Sequence, residues 1–277
     1  MFFTTSPDAL FISPKTIDPI GFGKVAIVTG CSSGIGLACT QLLLAHQYMV
    51  CGLDVRAFDY SLLQESDHGR FHFHRADLTE LRACEDGVYA SIASFGIDLL
   101  VNVAGVMDNF SSADGVSDAE WDRVMAVNLT VPVKMMRAVL PFMKEKNTGV
   151  IVNVASTAGT SGAVAGIAYT CSKHGLIGAT KNVAWRFRKE GIRCNAILPG
   201  AINSRIGKTI ASGQVNEFDL EAYAQVEPIH ALHAQTSESS PNITPLEVAH
   251  AVVYLASDQA RTISGVSLPI DRAWNSV

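Results

Sequence analysis

Charge is scarce in this sequence. Only 17% of its 277 residues are charged, and the balance is acidic, with 21 Lys and Arg against 26 Asp and Glu. A chain without a basic excess lacks the face that nucleic acid or an anionic membrane surface requires, so neither is expected as a partner. Consecutive apolar runs are short, and none approaches the roughly 18 residues needed to cross a bilayer. No two of the cysteines Cys31, Cys39, Cys51, Cys84, Cys171 and Cys194 form a CxxC pair. That excludes the usual zinc and disulfide patterns and leaves small buried hydrophobes in a reducing compartment. The opening residues carry Pro7 and Asp8 and lack a basic stretch followed by an apolar core. A secretory signal is therefore not expected, and a cytoplasmic location is. Repeats and low-complexity tracts are also missing. What remains is a core-rich globular chain, 48% hydrophobic with 22 glycines.

Apolar runs alternate with helical patterns from Val25 onward. Strands are predicted at Val25–Thr29, Tyr48–Leu53, Phe71–Arg75, Asp98–Asn102, Val150–Val154, Arg193–Ile197 and Val266–Ile270. Helical stretches fall between them, near 80–95, 118–146, 169–190 and 245–257. This alternation predicts an α/β fold, a doubly wound Rossmann-type parallel sheet of about seven strands with helices on both faces. Residues 1–20, with Pro7, Pro14 and Pro19, read as an irregular arm. Residues 21–277 read as one dinucleotide-binding and catalytic domain. The long polar stretch 203–244 reads as a substrate lid.

Gly30, Gly34 and Gly36 lie between a buried strand and a helix that begins with Ile35. Glycine lets backbone approach a pyrophosphate closely, and a helix N-terminus offers N–H donors and a favourable dipole. Asp54 closes the next strand, where a carboxylate can accept from adenosine ribose hydroxyls and repel a 2′-phosphate. NAD is thus expected over NADP, although Arg56 could reach a phosphate. Tyr169 and Lys173 are four apart and share a helix face. The lysine charge is expected to lower the tyrosine pKa and make the phenol an acid/base near neutrality. Ser156 ends an apolar strand and can hydrogen-bond and polarise a substrate oxygen.

The order and spacing of these segments resemble the short-chain dehydrogenase/reductase family. Thr29–Gly36, TGCSSGIG, is similar to its TGxxxGIG turn, and Ala76-Asp77-Leu78-Thr79 to its Asp-Leu step. Asn102-Val103-Ala104-Gly105 resembles NNAG, Tyr169–Lys173 resembles YxxxK, and Pro199-Gly200-Ala201-Ile202 its PG segment. Ser156 and Asn128 stand where the family keeps a serine and a helix asparagine. The resemblance implies hydride transfer between a nicotinamide cofactor and an alcohol or ketone carbon. Tyr169 would be the acid/base, Ser156 would hold the oxygen, and Lys173 would tune the tyrosine and hold the nicotinamide ribose. Asn128 would support a water-linked proton relay. Cofactor contacts are implied for Gly30, Ser32, Ser33, Gly34, Ile35, Gly36, Asp54, Asp77, Leu78, Asn102, Ala104, Gly105, Tyr169, Lys173, Pro199, Gly200, Ile202 and Ser204. A homodimer or homotetramer is implied as well.

Three departures stand out. Val103 replaces an asparagine, Ser204 a threonine, and Asp271-Arg272-Ala273 a DGG turn. Between Ser156 and Tyr169 the sequence is uncharged and built of small residues. An uncharged, bulky secondary alcohol or ketone is therefore expected, such as a terpenoid, polyketide or alkaloid intermediate. Two alternatives keep the same fold: an isomerase or cyclase, and a dinucleotide-binding protein without turnover. His72 and His74 on one strand read as packing or solvated residues, and no metal is expected. His230 and His233 fall in the lid, within reach of a substrate. Trp121 and Trp185 are expected to pack on helices, and Trp274 at a subunit contact.

Overall fold

A computed structural model describes residues 19–202, 219–234 and 243–276. Seven parallel strands form one sheet: β1 Val25–Thr29, β2 Met49–Asp54, β3 Phe71–Arg75, β4 Leu99–Asn102, β5 Gly149–Val154, β6 Ile192–Pro199 and β7 Ser267–Ile270. Their order is β3-β2-β1-β4-β5-β6-β7. All seven strands fall within a few residues of the predicted ones. The 1–18 part of the N-terminal arm lies outside the described residues.

Strand side chains alternate between faces, and at the centre of the sheet both faces are covered, which is why β1 and β4 read as mainly apolar runs, whereas edge strand β3 alternates Phe with exposed His72 and His74. Ala26, Val28, Val50, Leu99, Val101 and Val152 face one way, onto α1 (Gly34–Ala45) and the C-terminal helix Pro245–Ala256. Val25, Ile27, Cys51, Leu53, Leu100 and Ile151 face the other way. They meet α2 (Ala83–Phe95) and the methionine-rich stripe Met135, Met136, Val139 and Met143 of α4 (Val131–Lys146).

The predicted helix 118–146 is real but interrupted. α3 (Asp118–Met125) passes through a π-helical turn, Ala126–Thr130, before α4 begins. Taken as one run it is long and apolar enough to span a bilayer. Its methionine stripe lies against the sheet and its ends carry Asp118, Glu120, Lys144 and Lys146, the pattern of a core helix in this fold. α5 (Ile167–Arg186) starts two residues before the predicted boundary, so Tyr169 sits in its first turn. Residues 203–218 and 235–242 of the expected lid lie outside the described residues. Between them stands a helix that polarity had hidden, α6 (Leu220–Ala234). The C-terminal helix Pro245–Ala256 is therefore α7. A bridge between Ile202 and Ile243 joins the two ends of the excursion.

The chain reverses its direction across the sheet between β1 and β4, the neighbours that are not consecutive in sequence. At such a switch point the loops leaving the carboxyl ends of the strands diverge and open a crevice. Gly30, Asp54, Asn102, Ser156 and Gly200 all lie at or just beyond those ends.

Candidate active site

The turn after β1 is shaped by close approach. A Cβ on Gly36 would fall 2.0 Å from the Gly30 carbonyl oxygen, and one on Gly30 would fall 3.0 Å from the Ala104 backbone. Gly30 and Gly34 also adopt φ of +69° and +55°, a region that side chains disfavour. In front of Gly34 no atom lies within 4 Å of where a Cβ would be. The N-cap Ser33 makes no side-chain bond to the first turn of α1, so that turn's N–H groups are left for a ligand, and this cradle fits a dinucleotide pyrophosphate.

The loop after β4 is held against it by Thr29, whose hydroxyl accepts from the Val103 and Ala104 amides at 3.0 and 3.1 Å. Asp54 is 6% exposed. Its carboxylate accepts from the Ser32 amide at 2.9 Å and the Arg56 amide at 2.9 Å, which ties β2 to the glycine turn. The Arg56 guanidinium lies 3.7 Å from the same carboxylate and donates to the Ser33 hydroxyl at 2.5 Å. Ile35 packs on the α1 side of the core, and buried Leu78 on the α2 side. Asp77 is exposed and accepts from the Thr79 amide and hydroxyl, bonds that hold its carboxyl below the ordinary carboxylate value. Asn102 is buried and its amide donates to Asn153 Oδ1 at 2.8 Å, so the side chain joins β4 to β5 beneath the crevice. Pro199 ends β6, Gly200 donates its amide to Ile270, and Ile202 lies at the bridge to Ile243. Ser204 lies outside the described residues.

Ser156, Tyr169 and Lys173 converge at the end of β5. The Ser156 hydroxyl accepts from the Ala158 amide at 3.1 Å and hydrogen-bonds the Tyr169 phenol. Lys173 is 4% exposed. Its ammonium donates to the Val154 carbonyl at 3.1 Å and lies 5.4 Å from the Tyr169 ring centre. Asn128, in the π turn, is fully buried. It clamps the Val106 backbone, accepting from its amide and donating to its carbonyl, both at 2.8 Å, and also donates to Ser172. Gly105 borders both Asn128 Oδ1 and Lys173 Nζ.

The expected depression of the tyrosine pKa is absent from the chain taken by itself. Tyr169 as a residue is half-buried, yet its phenol lies deep enough that burial pushes it up to about 12. The Ser156 hydrogen bond pulls it down and the Asp108 charge pushes it up. Burial lowers Lys173 to about 8. Lys173 lies over the ring and bonds the Val154 carbonyl, and burial of the phenol outweighs its charge.

Three contacts were not predicted from sequence, although His230 was placed there within reach of a substrate. Asp108 is buried and bonds the start of α5. Phe110 adopts φ +70° and meets Tyr223 of α6 edge-on at 5.0 Å. His230 of α6 bonds the Val164 carbonyl at 2.8 Å and meets Trp274 at 5.4 Å. Trp274, expected at a subunit contact, is instead 6% exposed within its own chain, packed with Val164, Ala165 and Tyr169. Trp185 is 65% exposed, its ring stacked on Arg188, and so does not pack inward. Trp121 is half-buried, and His72 and His74 are exposed on β3. The His233 side chain lies outside the described residues. Asp108 and Phe110 sit in a loop, which carries no periodic signal, and their partners lie far along the chain, which is why these contacts do not show in the sequence.

Comparison with known proteins identifies the family. Residues 24–215 match the family model described as short chain dehydrogenase. The short-chain dehydrogenase/reductase cdmF of Talaromyces verruculosus is 46% identical over 255 residues, covering 91% of this chain and 97% of its own. Asnovolin H dehydrogenase nvfC of Aspergillus novofumigatus is 44% identical over 256 residues, covering 91% and 97%. Among solved structures, levodione reductase superposes with a TM-score of 0.79 at 28% identity, covering 93% of this chain and 99% of that one.

Proposed function

The chain belongs to the short-chain dehydrogenase family and is an alcohol/ketone oxidoreductase using a nicotinamide dinucleotide, and from that premise we propose its cofactor, substrate class and residue roles. The observation that carries the reading is the convergence of Ser156, Tyr169 and Lys173 at the strand ends, beside a glycine cradle open for a pyrophosphate.

NAD is the preferred cofactor. Buried Asp54 lies where the adenosine ribose would be, and a 2′-phosphate there would meet a carboxylate. Arg56 is already engaged by Asp54 and Ser33, so its charge is partly neutralised before any phosphate arrives. Gly30, Gly36 and the amides of the α1 turn would hold the pyrophosphate, and Lys173 the nicotinamide ribose. The bound nicotinamide supplies the hydride acceptor or donor.

The remaining chemistry belongs to the chain. Ser156 donates to the substrate oxygen and fixes its position. Tyr169 gives its proton to that oxygen during ketone reduction and takes it back during alcohol oxidation. Lys173 carries positive charge close to the phenol ring, where it steadies the phenolate that reduction leaves behind. Asn128 keeps the Val106 strap beside Lys173, and a proton returns to the phenol along this side of the site.

The substrate is uncharged and bulky. Ala158, Val164, Ala165, Met107, Ile229 and Trp274 form an apolar wall around Tyr169. The named relative that acts on asnovolin H belongs to this family, and asnovolin H and levodione are natural first probes. Residues 21–277 act as one catalytic unit with the 203–244 segment as its lid, assembled as a cytoplasmic homodimer or homotetramer. The test is absorbance at 340 nm with NADH or NADPH and a panel of cyclic ketones. Turnover with NADH at a higher kcat/KM than with NADPH is expected. Consumption of substrate without any cofactor change would favour an isomerase instead.

A further inference from the structure

Asp108, in the loop after β4, is 3% exposed. Its carboxylate accepts three backbone N–H groups: Tyr169 on Oδ2 at 2.8 Å, and Gly166 and Phe110 on Oδ1, each at 3.2 Å. Gly166 is the N-cap of α5 and Tyr169 lies in its first turn. Such amides have no acceptor inside the helix, so Asp108 supplies what α5 cannot supply for itself. A carboxylate at this end also meets the positive pole of the helix. The fit is close, since a Cβ on Gly166 would come within 2.6 Å of Asp108 Oδ2 and 2.7 Å of the Phe110 backbone. The same loop carries α6, because the Asn109 carbonyl accepts from the Asp219 amide at 3.0 Å.

We propose that Asp108 is a positioning residue for the reaction, acting through Tyr169 by fixing where α5 begins and by holding a buried negative charge beside it. The proposal rests on Tyr169 being the acid/base. That charge opposes the phenolate and favours the protonated form that reduction of a ketone starts from. Other groups face this corner from each neighbouring element. They are Lys173 of α5, the Ser156 hydroxyl after β5, Arg123 of α3, the buried Glu120 of α3 that accepts from the Asn109 amide, Asp219 before α6, and Tyr223 and His230 of α6. No ion pair to Asp108 forms among the described residues, and Arg123 reaches it only through space.

The test needs no substrate. Tyrosines are labelled with ¹³C at Cζ, and the resonance lost in Tyr169→Phe identifies Tyr169. In Asp108→Asn its titration midpoint should fall by about half a pH unit or more, because a buried anion is removed. Its amide should exchange about tenfold faster, because the single Asn oxygen can serve the Gly166 and Phe110 amides only by turning its NH2, a donor, toward the Tyr169 N–H. NAD affinity should stay within about twofold. Asp108→Glu keeps the charge and should hold the midpoint at the wild-type value. A midpoint in Asp108→Asn that matches wild type, with NAD binding intact, overturns the proposal. If Asp108→Asn loses NAD binding, Asp108→Ser, a smaller neutral acceptor, should show the same fall. Collapse of both neutral variants beside an intact Asp108→Glu would also overturn it, since the carboxylate would then be a folding anchor only. Absence of turnover on every ketone with the titration shift present would instead count against the proposed reaction and leave the Asp108 link standing.

Discussion

Replacing Gly36 by alanine places one methyl group where the glycine turn has no room. Its carbon would lie 2.0 Å from the Gly30 carbonyl oxygen, 2.6 Å from the Gly30 carbonyl carbon and 3.2 Å from Cys31 Cα. All three are backbone atoms, so no side chain can rotate away. Relief requires the turn to shift by about 1.5 Å or more, given that nonbonded heavy atoms pack at roughly 3.5–4.0 Å. Overpacking of this kind costs about 1–3 kcal/mol of stability. A shifted turn also misdirects the α1 amides. Losing two charge-assisted hydrogen bonds to pyrophosphate, at about 1.5 kcal/mol each, weakens binding by about 3 kcal/mol, or roughly 150-fold. NADH fluorescence titration and urea unfolding measure the two effects separately. Dinucleotide affinity within threefold of wild type, with unchanged stability, would refute the close-packed cradle.

Four further outcomes are expected. Tyr169→Phe should lower kcat by about a thousandfold, the middle of the range for acid/base groups, with dinucleotide affinity within about twofold by titration. Asp54→Ala should raise the NADP-to-NAD affinity ratio at least about tenfold, because a carboxylate facing a 2′-phosphate is gone. Ala273→Gly should stabilise the fold by about 1 kcal/mol in urea unfolding, since Ala273 sits at φ +68° where a side chain is strained. Lys173→Met should stabilise the inactive protein at pH 7. Burial lowers Lys173 from 10.5 to about 8, a penalty of about 3 kcal/mol, of which the orphaned Val154 carbonyl cancels about 1. The unfolded chain binds more protons between those two values, so wild-type stability rises there and the mutant's advantage fades from pH 8 to 10.5.

Much of this fold was legible because both faces of the sheet are covered. Runs such as Val25–Thr29 are apolar without interruption, and the turns between them carry glycine for geometric reasons that motif spacing exposes. The proposed catalytic pair was legible for a similar reason: Tyr169 and Lys173 are fixed relative to each other by one helix. What escaped was set by long-range contact. Asp108 acts on α5 from 61 residues away. The π turn that buries Asn128 leaves the helical pattern of 118–146 intact in sequence. α6 was hidden because Pro228 and its scattered polar residues blur helical periodicity. The departure at Asp271-Arg272-Ala273 has a visible consequence, since Arg272 and Ala273 both take positive φ where glycines would be at ease. The electrostatics of Tyr169 ran against expectation because burial, which spacing does not reveal, outweighs a lysine that faces the ring and a carbonyl.

The central claim is hydride transfer governed by Tyr169. It is tested most directly by incubating the chain with NADH deuterated at nicotinamide C4, on the transferred face, and a cyclic ketone that it reduces. Mass spectrometry of the product then counts deuterium at the carbinol carbon. One deuterium per product molecule, abolished in Tyr169→Phe while cofactor binding persists, is the predicted result. Product without deuterium, or turnover of Tyr169→Phe at the wild-type rate, would contradict it.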